Sequence, residues 1–215
     1  MCGTPVNSVI FGCGDHANVV RTVIEAVGKY RFAGYISQER SSVGGVREMI
    51  SGHDGDPNSW YKHGILGIGD NQRRFELSER VLSSVPDYEF IRCLHPKSII
   101  SDSASVALGT VVMPNVTIQA NTSVGRHCII NTSSSIDHDC HIDDFSFIGP
   151  GSVLAGRITI GERACVNTGV VIAPGVKISP GAVIGAGSVV LNSIPANVLA
   201  YGSPARVVRE LHETR

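Results

Sequence analysis

The sequence predicts a small α/β domain, Rossmann-like in its strand-helix-strand opening, followed by a long solenoid of short parallel β-strands. Two observations carry this. Reading every sixth residue from Ile100 gives Val106, Val112, Ile118, Val124, Ile130, Ile136, Ile142, Ile148, Leu154, Ile160, Val166, Ile172, Ile178, Ile184 and Val190, sixteen aliphatic residues in unbroken succession. Upstream of that run, residues 8–36 read as a buried strand, a glycine turn, an amphipathic helix and a second strand.

A fixed period of six fits neither an α-helix, which repeats apolar residues every three to four positions, nor a flat strand, which repeats every two. It fits short strands joined at corners, each coil burying its apolar face against the next. Four residues after each large aliphatic residue stands a small or modest side chain, among them Ala104, Thr110, Thr122, Cys128, Ser134, Cys140, Ser152, Ala164, Ala182 and Ser188. A large and a small inward residue thus recur together. Gly125, Asn131, Gly149, Gly161, Asn167 and Gly185 occupy turn positions, where positive φ is cheap for Gly and Asn.

In the opening segment, Val9, Ile10 and Phe11 form the buried strand, and Val19, Val20, Val23, Ile24 and Val27 share one helix face. Gly12, Gly14 and Ala17 make a G-x-G-x-x-A turn at the helix start near His16. Free amides and the helix dipole favour a phosphate there, and small residues equally favour close packing of helix on strand. Residues 39–60 are polar and glycine-rich, with a short helix predicted from Val46 to Ile50. A third strand is predicted at Gly64–Ile68, then a helix capped by Asp70 or Asn71 and carrying Phe75, Leu77, Val81 and Leu82. A fourth strand is expected to end near Ile91–Leu94. The predicted division is residues 1–94 and 95–215.

Composition narrows the function. With 18 Lys+Arg against 19 Asp+Glu, the net charge of −1 gives no basic field for nucleic acid or anionic membrane. No apolar run approaches the ~20 residues of a membrane span, and the first residues show no signal-peptide pattern, so a cytoplasmic protein is expected. The six cysteines include no CxxC pair; Cys128, Cys140 and Cys165 read as small core residues of a reduced protein.

The repeat run resembles the hexapeptide-repeat acyltransferases, whose units wind a left-handed triangular β-helix. The segments GCGDHANVV, GIGDNQRR, HPKSIIS, SSSIDHDCHI, LAGRITIG and YGSPARVVR are similar, in order, to a subgroup acting on nucleotide-linked amino sugars or sialic acid. The resemblance implies acetyl-CoA as co-substrate, no metal, a homotrimer with its sites between subunits, and a place in polysaccharide biosynthesis. It puts a general base on His138 and its acidic partner on Asp139. Coenzyme contacts fall on Gly156, Thr168, Ala186, Gly202, Pro204, Ala205 and Arg206, and acceptor contacts on Gly12, Gly14, His16, Asp70 and Asn71. Gly202–Arg206 also reads as a solenoid cap.

Two positions depart from the subgroup. Phe147 stands where some relatives carry a histidine, and Ser37 and Gln38, with Glu39 just beyond, replace the acidic residue that dinucleotide sites place after the second strand. His127, His138 and His141 lie close enough in sequence to weigh zinc. Hexapeptide carbonic anhydrases space their pair five apart, however, and His138 and His141 are three apart. The implied activity is N-acetylation of a nucleotide-linked amino sugar, of the 4-amino-4,6-dideoxyhexose class. The alternatives are O-acetylation of sialic acid or another sugar, and a non-catalytic nucleotide-sugar-binding protein.

Overall fold

A computed structural model of the chain describes residues 5–36 and 62–211, so Ser37, Gln38, Glu39 and the short helix expected at Val46–Ile50 lie outside the described residues. The N-terminal part contains β1 (Val6–Phe11), α1 (Asp15–Val27), β2 (Tyr30–Ile36), β3 (His63–Leu66), α2 (Asn71–Ser84) and β4 (Glu89–Phe90). Its sheet is parallel, in the order β2-β1-β3-β4. α1 buries Ala17, Val20, Val23 and Ile24, whereas Val19 is 45% exposed. At 100° per residue, Val19 sits on the flank of the stripe that Val20 and Val23 define, which corrects the expected face.

The strand expected near Ile91–Leu94 is two strands. β4 closes the N-terminal sheet, while β5 (Cys93–Leu94) pairs with β8 (Val111–Val112) and begins the solenoid. From β5 to β21 (Val189–Val190) the strands are two residues long, and each pairs in parallel with the strand 18 residues away, as Ser123 does with His141. Three sheets result: β5-β8-β11 (Ile129–Ile130)-β14 (Phe147–Ile148)-β17 (Cys165–Val166)-β20 (Val183–Ile184); β6 (Ile99–Ile100)-β9 (Thr117–Ile118)-β12 (Ser135–Ile136)-β15 (Val153–Leu154)-β18 (Val171–Ile172)-β21; and β7 (Ser105–Val106)-β10 (Ser123–Val124)-β13 (His141–Ile142)-β16 (Thr159–Ile160)-β19 (Lys177–Ile178). They are the three sides of a left-handed β-helix. β22 (Val198–Gly202) continues the first of these sheets, and β23 (Ala205–Glu210) folds back on it as an antiparallel hairpin that caps the upper end.

The predicted inward residues from Val106 to Val190 are all buried, and Ile100, at the open lower end, is packed partly against the core. Each Val, Leu or Ile so enclosed contributes on the order of 2 kcal/mol. The small companions are also buried, Ala104 at the lower end only partly, and the polarity of the Ser, Thr and Cys among them has a use. The hydroxyls of Thr110, Thr122, Ser146 and Ser152 donate to corner carbonyls fifteen residues on, at 2.7 Å, 2.7 Å, 3.0 Å and 2.8 Å, and the thiols of Cys128 and Cys140 point the same way. An alanine would leave those carbonyls without this partner. Burial pushes the Cys128 thiol up to about 12, as suits an inert core residue.

Positive φ does not fall where the sequence suggested. Gly125, Asn131, Gly149, Gly161, Asn167 and Gly185 are absent from the left-handed region, which is occupied two positions later by Asn121, His127, Ser133, Asp139, Phe145, Gly151, Arg157, Arg163 and Gly169. The four glycines are needed for a different reason. A Cβ at Gly149 would lie 2.6 Å from the Asn167 carbonyl carbon, and one at Gly161 2.5 Å from the Pro180 nitrogen, in the next coil. They permit close stacking, and the turn itself is made at the third residue after the inward one.

No helix among the described residues is long and apolar enough to cross a membrane. The two parts share one apolar core, continuous from Ile10 through α1 and Cys93 into the coils, and α1 lies against β5. The register makes a direct prediction. Ile160→Asp buries a charge with no partner and should destabilise by roughly 4 kcal/mol or more, whereas Glu162→Ala, at a partly exposed corner, should stay within about 0.5 kcal/mol. Equal shifts in thermal midpoint for the two would contradict this packing.

Candidate functional site

The corner between β12 (Ser135–Ile136) and β13 (His141–Ile142) carries Asp137, His138 and Asp139. His138 follows the inward Ile136 by two residues and so projects outward, its side chain 44% exposed. Its Nδ1 lies 2.7 Å from Asp139 Oδ2. A carboxylate can only accept, so the imidazole proton resides on Nδ1 and Nε2 presents a lone pair. Asp139 is held in turn by the amide of Asn121, one coil below, whose Nδ2 donates to Oδ1 at 3.1 Å. Hydrogen bonds from His138 and from Asn121 hold the Asp139 carboxyl below the usual carboxylate range. Asn121 and Asp139 are both left-handed, at φ 59 and φ 56, which these two residue types tolerate.

Gly156 stacks one coil above His138. A Cβ there would lie 2.6 Å from His138 Nε2, so the glycine makes room for the ring. Its backbone N–H donates to no partner among the described residues. At the equivalent positions 132 and 138, the preceding side chains Asn131 and Asp137 accept the amide, at 2.8 Å each. Ala155 precedes Gly156 and offers no acceptor. The corner therefore combines an oriented base with an available amide donor beside it, the pairing needed where negative charge develops on a carbonyl oxygen.

The other predicted residues are not gathered here. Thr168 and Ala186 are exposed on a different corner, one coil apart, and Gly202, Pro204, Ala205 and Arg206 lie at the tip of the capping hairpin, whose turn is Ser203–Pro204. The two corners are separated by one side of the triangle, six residues or at most about 20 Å of extended chain. Within one chain, base and hairpin stand on separate edges of the prism.

The glycine turn divides into two functions. Gly12, at φ 100 with Ile68 Cδ1 2.6 Å from any Cβ, is required by the fold. Gly14 has an ordinary φ of −73 and nothing within 4 Å of a Cβ, so neither backbone nor packing demands glycine. It caps α1 without a side-chain hydrogen bond, and among the described residues the amides of Asp15 and His16 donate to no partner, while the Ala17 amide donates to the Gly14 carbonyl at 3.1 Å. Close packing of helix on strand is instead achieved at Gly67 against Ala17.

Asp70 and Asn71 serve the structure. Asp70 caps α2, accepting from the Arg73 amide at 2.8 Å, and Asn71 Nδ2 donates to the carbonyls of Arg163 and Ala164 at 3.1 Å each. The residue that sequence reasoning missed is Arg74, quoted within GIGDNQRR but not singled out. It is 1% exposed and reaches the carbonyls of His127 and Phe145 at 2.7 Å each. Burial pulls its guanidinium down to about 10, so it stays charged at neutral pH.

Phe147 lies partly buried on β14 (Phe147–Ile148), paired with Ile129 and Cys165. The three histidines weighed for zinc are kept apart in role: His127 is buried and stacked on Phe145, while His138 and His141 each hold their own aspartate. Among the described residues no three metal-ligating groups converge.

Among the described residues two histidines carry a pH dependence. His127 and His16 are both pulled down to about 4, first by burial and then by the charge of Arg74, and neither His16 Nε2 nor His127 Nδ1 has a hydrogen-bond partner among the described residues. As pH falls below 6.5, histidines of the unfolded chain take up protons that the folded chain refuses until near 4, so stability is lost across that window. The urea midpoint should fall steadily from pH 6.5 to 4, each histidine contributing at most about 3 kcal/mol. His127→Asn, which tolerates φ 54, should flatten the slope; an unchanged slope would contradict the neutral buried state.

Two family models match, the PglD N-terminal domain over residues 7–81 and the bacterial transferase hexapeptide (six repeats) over 139–173. GDP-perosamine N-acetyltransferase of Escherichia coli O157:H7 is 35% identical over 111 residues, 52% of this chain and 49% of that protein, so the chain spans about half the length of this curated relative. PerB from Caulobacter crescentus, solved in complex with CoA and GDP-perosamine, is 32% identical and superposes with a TM-score of 0.85 over 96% of this chain and 99% of that one. The acetyltransferase domain of PglB from Neisseria gonorrhoeae FA1090, in complex with acetyl coenzyme A, is 26% identical with a TM-score of 0.84, covering 95% and 100%.

Proposed function

The chain belongs to the hexapeptide-repeat acyltransferases, in the subgroup of nucleotide-linked amino-sugar N-acetyltransferases, and from that premise we propose that it transfers the acetyl group of acetyl-CoA to the amino group of a nucleotide-linked sugar. The observation that carries this reading is the corner itself. His138 is oriented by Asp139, and the Gly156 amide, with no partner among the described residues, lies beside its Nε2.

The transfer is direct. The sugar amine attacks the thioester carbonyl carbon, and the oxyanion that develops draws the Gly156 amide. His138 Nε2 takes the proton the nitrogen must lose, and Asp139 stabilises the resulting imidazolium. The C–S bond breaks, and the coenzyme thiolate leaves to be protonated. No covalent enzyme intermediate is required.

The acceptor is a 4-amino-4,6-dideoxyhexose in this reading, carried on its nucleotide by residues 1–94, with the diphosphate at the open amides behind Gly14. The coenzyme lies along residues 95–215, past Thr168 and Ala186 to Gly202–Arg206. Because those residues stand on a different edge from His138, the reading places each site between two copies in a homotrimer. The exposed apolar residues Ile99, Val153 and Val171, in the column beside the His138 corner, suit such an interface.

His138→Ala should lower kcat roughly 10²- to 10⁴-fold, with thermal midpoint and coenzyme binding unchanged, and Asp139→Asn should cost less. Near-normal kcat at saturating substrates would remove His138 as the base. Gly14→Val fits the fold and stands over the first amides of α1. It should raise the acceptor KM roughly tenfold and leave the KM for acetyl-CoA alone, and a uniform loss in both would point to a folding effect instead.

A further inference from the structure

The sheet β7-β10-β13-β16-β19 takes no part in the proposed transfer, yet its outward face holds an ordered constellation. Ser105, Ser123, His141, Thr159 and Lys177 follow one another up successive coils. Ser123 on β10 (Ser123–Val124) is in register with His141 on β13, and its Oγ lies 2.7 Å from His141 Nδ1. His141 Nε2 lies 2.8 Å from Asp143 Oδ1. The carboxylate can only accept, so the ring proton resides on Nε2, and Nδ1 is left to accept from the Ser123 hydroxyl.

A hydroxyl bonded to an imidazole that is oriented by a carboxylate is the arrangement of an activated nucleophile. We propose that Ser123, His141 and Asp143 form a second acyl-accepting site, in which Ser123 reacts with small activated esters and thioesters. The ring nitrogens are used in the opposite sense to the familiar serine hydrolases, with the serine on Nδ1, but roles rather than atom names define such a triad. It is independent of the first site, because His138 has its own carboxylate in Asp139.

In the first step, Ser123 Oγ attacks the acyl carbonyl carbon and His141 Nδ1 takes the hydroxyl proton. The bond to the leaving alkoxide, phenolate or thiolate breaks, that group carries the proton away, and an acyl-serine ester remains. Water then attacks the ester carbonyl with His141 as base, releasing the carboxylic acid and restoring the hydroxyl. The face is open, with the His141 side chain 57% exposed, so water reaches the ester and no walls select a large substrate. The backbone amides of Ser123, Gly125 and His141 are all committed to the next coil. Oxyanion stabilisation is thus weak, and the gain over an ordinary serine is that of base assistance, about 10²-fold.

The test uses the full chain with p-nitrophenyl acetate and, separately, a fluorophosphonate probe, in the absence of coenzyme A and sugar, with peptide mapping of the adduct. Modification should concentrate on Ser123, and nitrophenolate release should fall about 10²-fold in Ser123→Ala and in His141→Asn, with a smaller loss in Asp143→Asn. All three side chains lie on the surface, so melting temperatures report whether the variants remain folded. Ser123→Ala should leave amino-sugar acetylation unchanged, which separates this proposal from the His138 reading. Adducts spread over other serines and lysines, or labelling of Ser123 at the same rate in His141→Asn, would overturn it.

Discussion

Among the described residues one fully buried cation, Arg74, joins the two halves of the molecule. Arg74 leaves α2 and enters the solenoid, where its guanidinium donates to the carbonyls of His127 and Phe145, to those of Ile68 and Gly69 at 3.0 Å each, and to Asn71 Oδ1 at 2.8 Å. Removing a charge from water costs several kcal/mol. Here that cost is offset by carbonyl dipoles, with no carboxylate among the described residues in direct contact. The arrangement is directional: only one placement of α2 against the coils brings all those carbonyls within reach of one planar fork. It also explains why the innermost positions of α2 are Arg74 and Ser78, while Phe75, Leu77, Val81 and Leu82 are only partly buried.

The same charge sets the state of its neighbours. His127 packs between Phe90 and Phe145 with Arg74 close by, and burial and repulsion together keep it neutral. It stacks on Gly109 much as His138 stacks against Gly156, one coil away in each case. Two corner histidines, each packed against a glycine one coil away, thus have opposite fates. The N-terminal part covers the corner at His127 and leaves the corner at His138 open.

This contrast marks what the sequence could and could not reveal. The six-residue rhythm was legible because every inward residue must be apolar for coils to stack, and the outward placement of His138 followed from counting two residues past Ile136. The N-cap at Asp70 and the βαβ opening were legible for the same local reasons. Arg74 was not, because its acceptors are backbone carbonyls 53 and 71 residues away, and a carbonyl leaves no signature in side-chain pattern. Asn121 was hidden by reading along the chain instead of up it; stepping back 18 residues from Asp139 finds it at once. The turn residues were misplaced because glycine in a solenoid answers two demands, close stacking and left-handed φ, and composition alone does not separate them.

The vertical pairing at 18 residues has a consequence for how such chains can change length. His138 depends on Asn121 below, through Asp139, and on Gly156 above, so an insertion or deletion within the stack shifts one partner away unless it comprises whole coils. Growth is therefore quantised. Evolution can lengthen or shorten the prism by complete coils away from residues 121–156 without disturbing the base, whereas the loss of a single residue between them would rotate every later side chain by one step around the triangle.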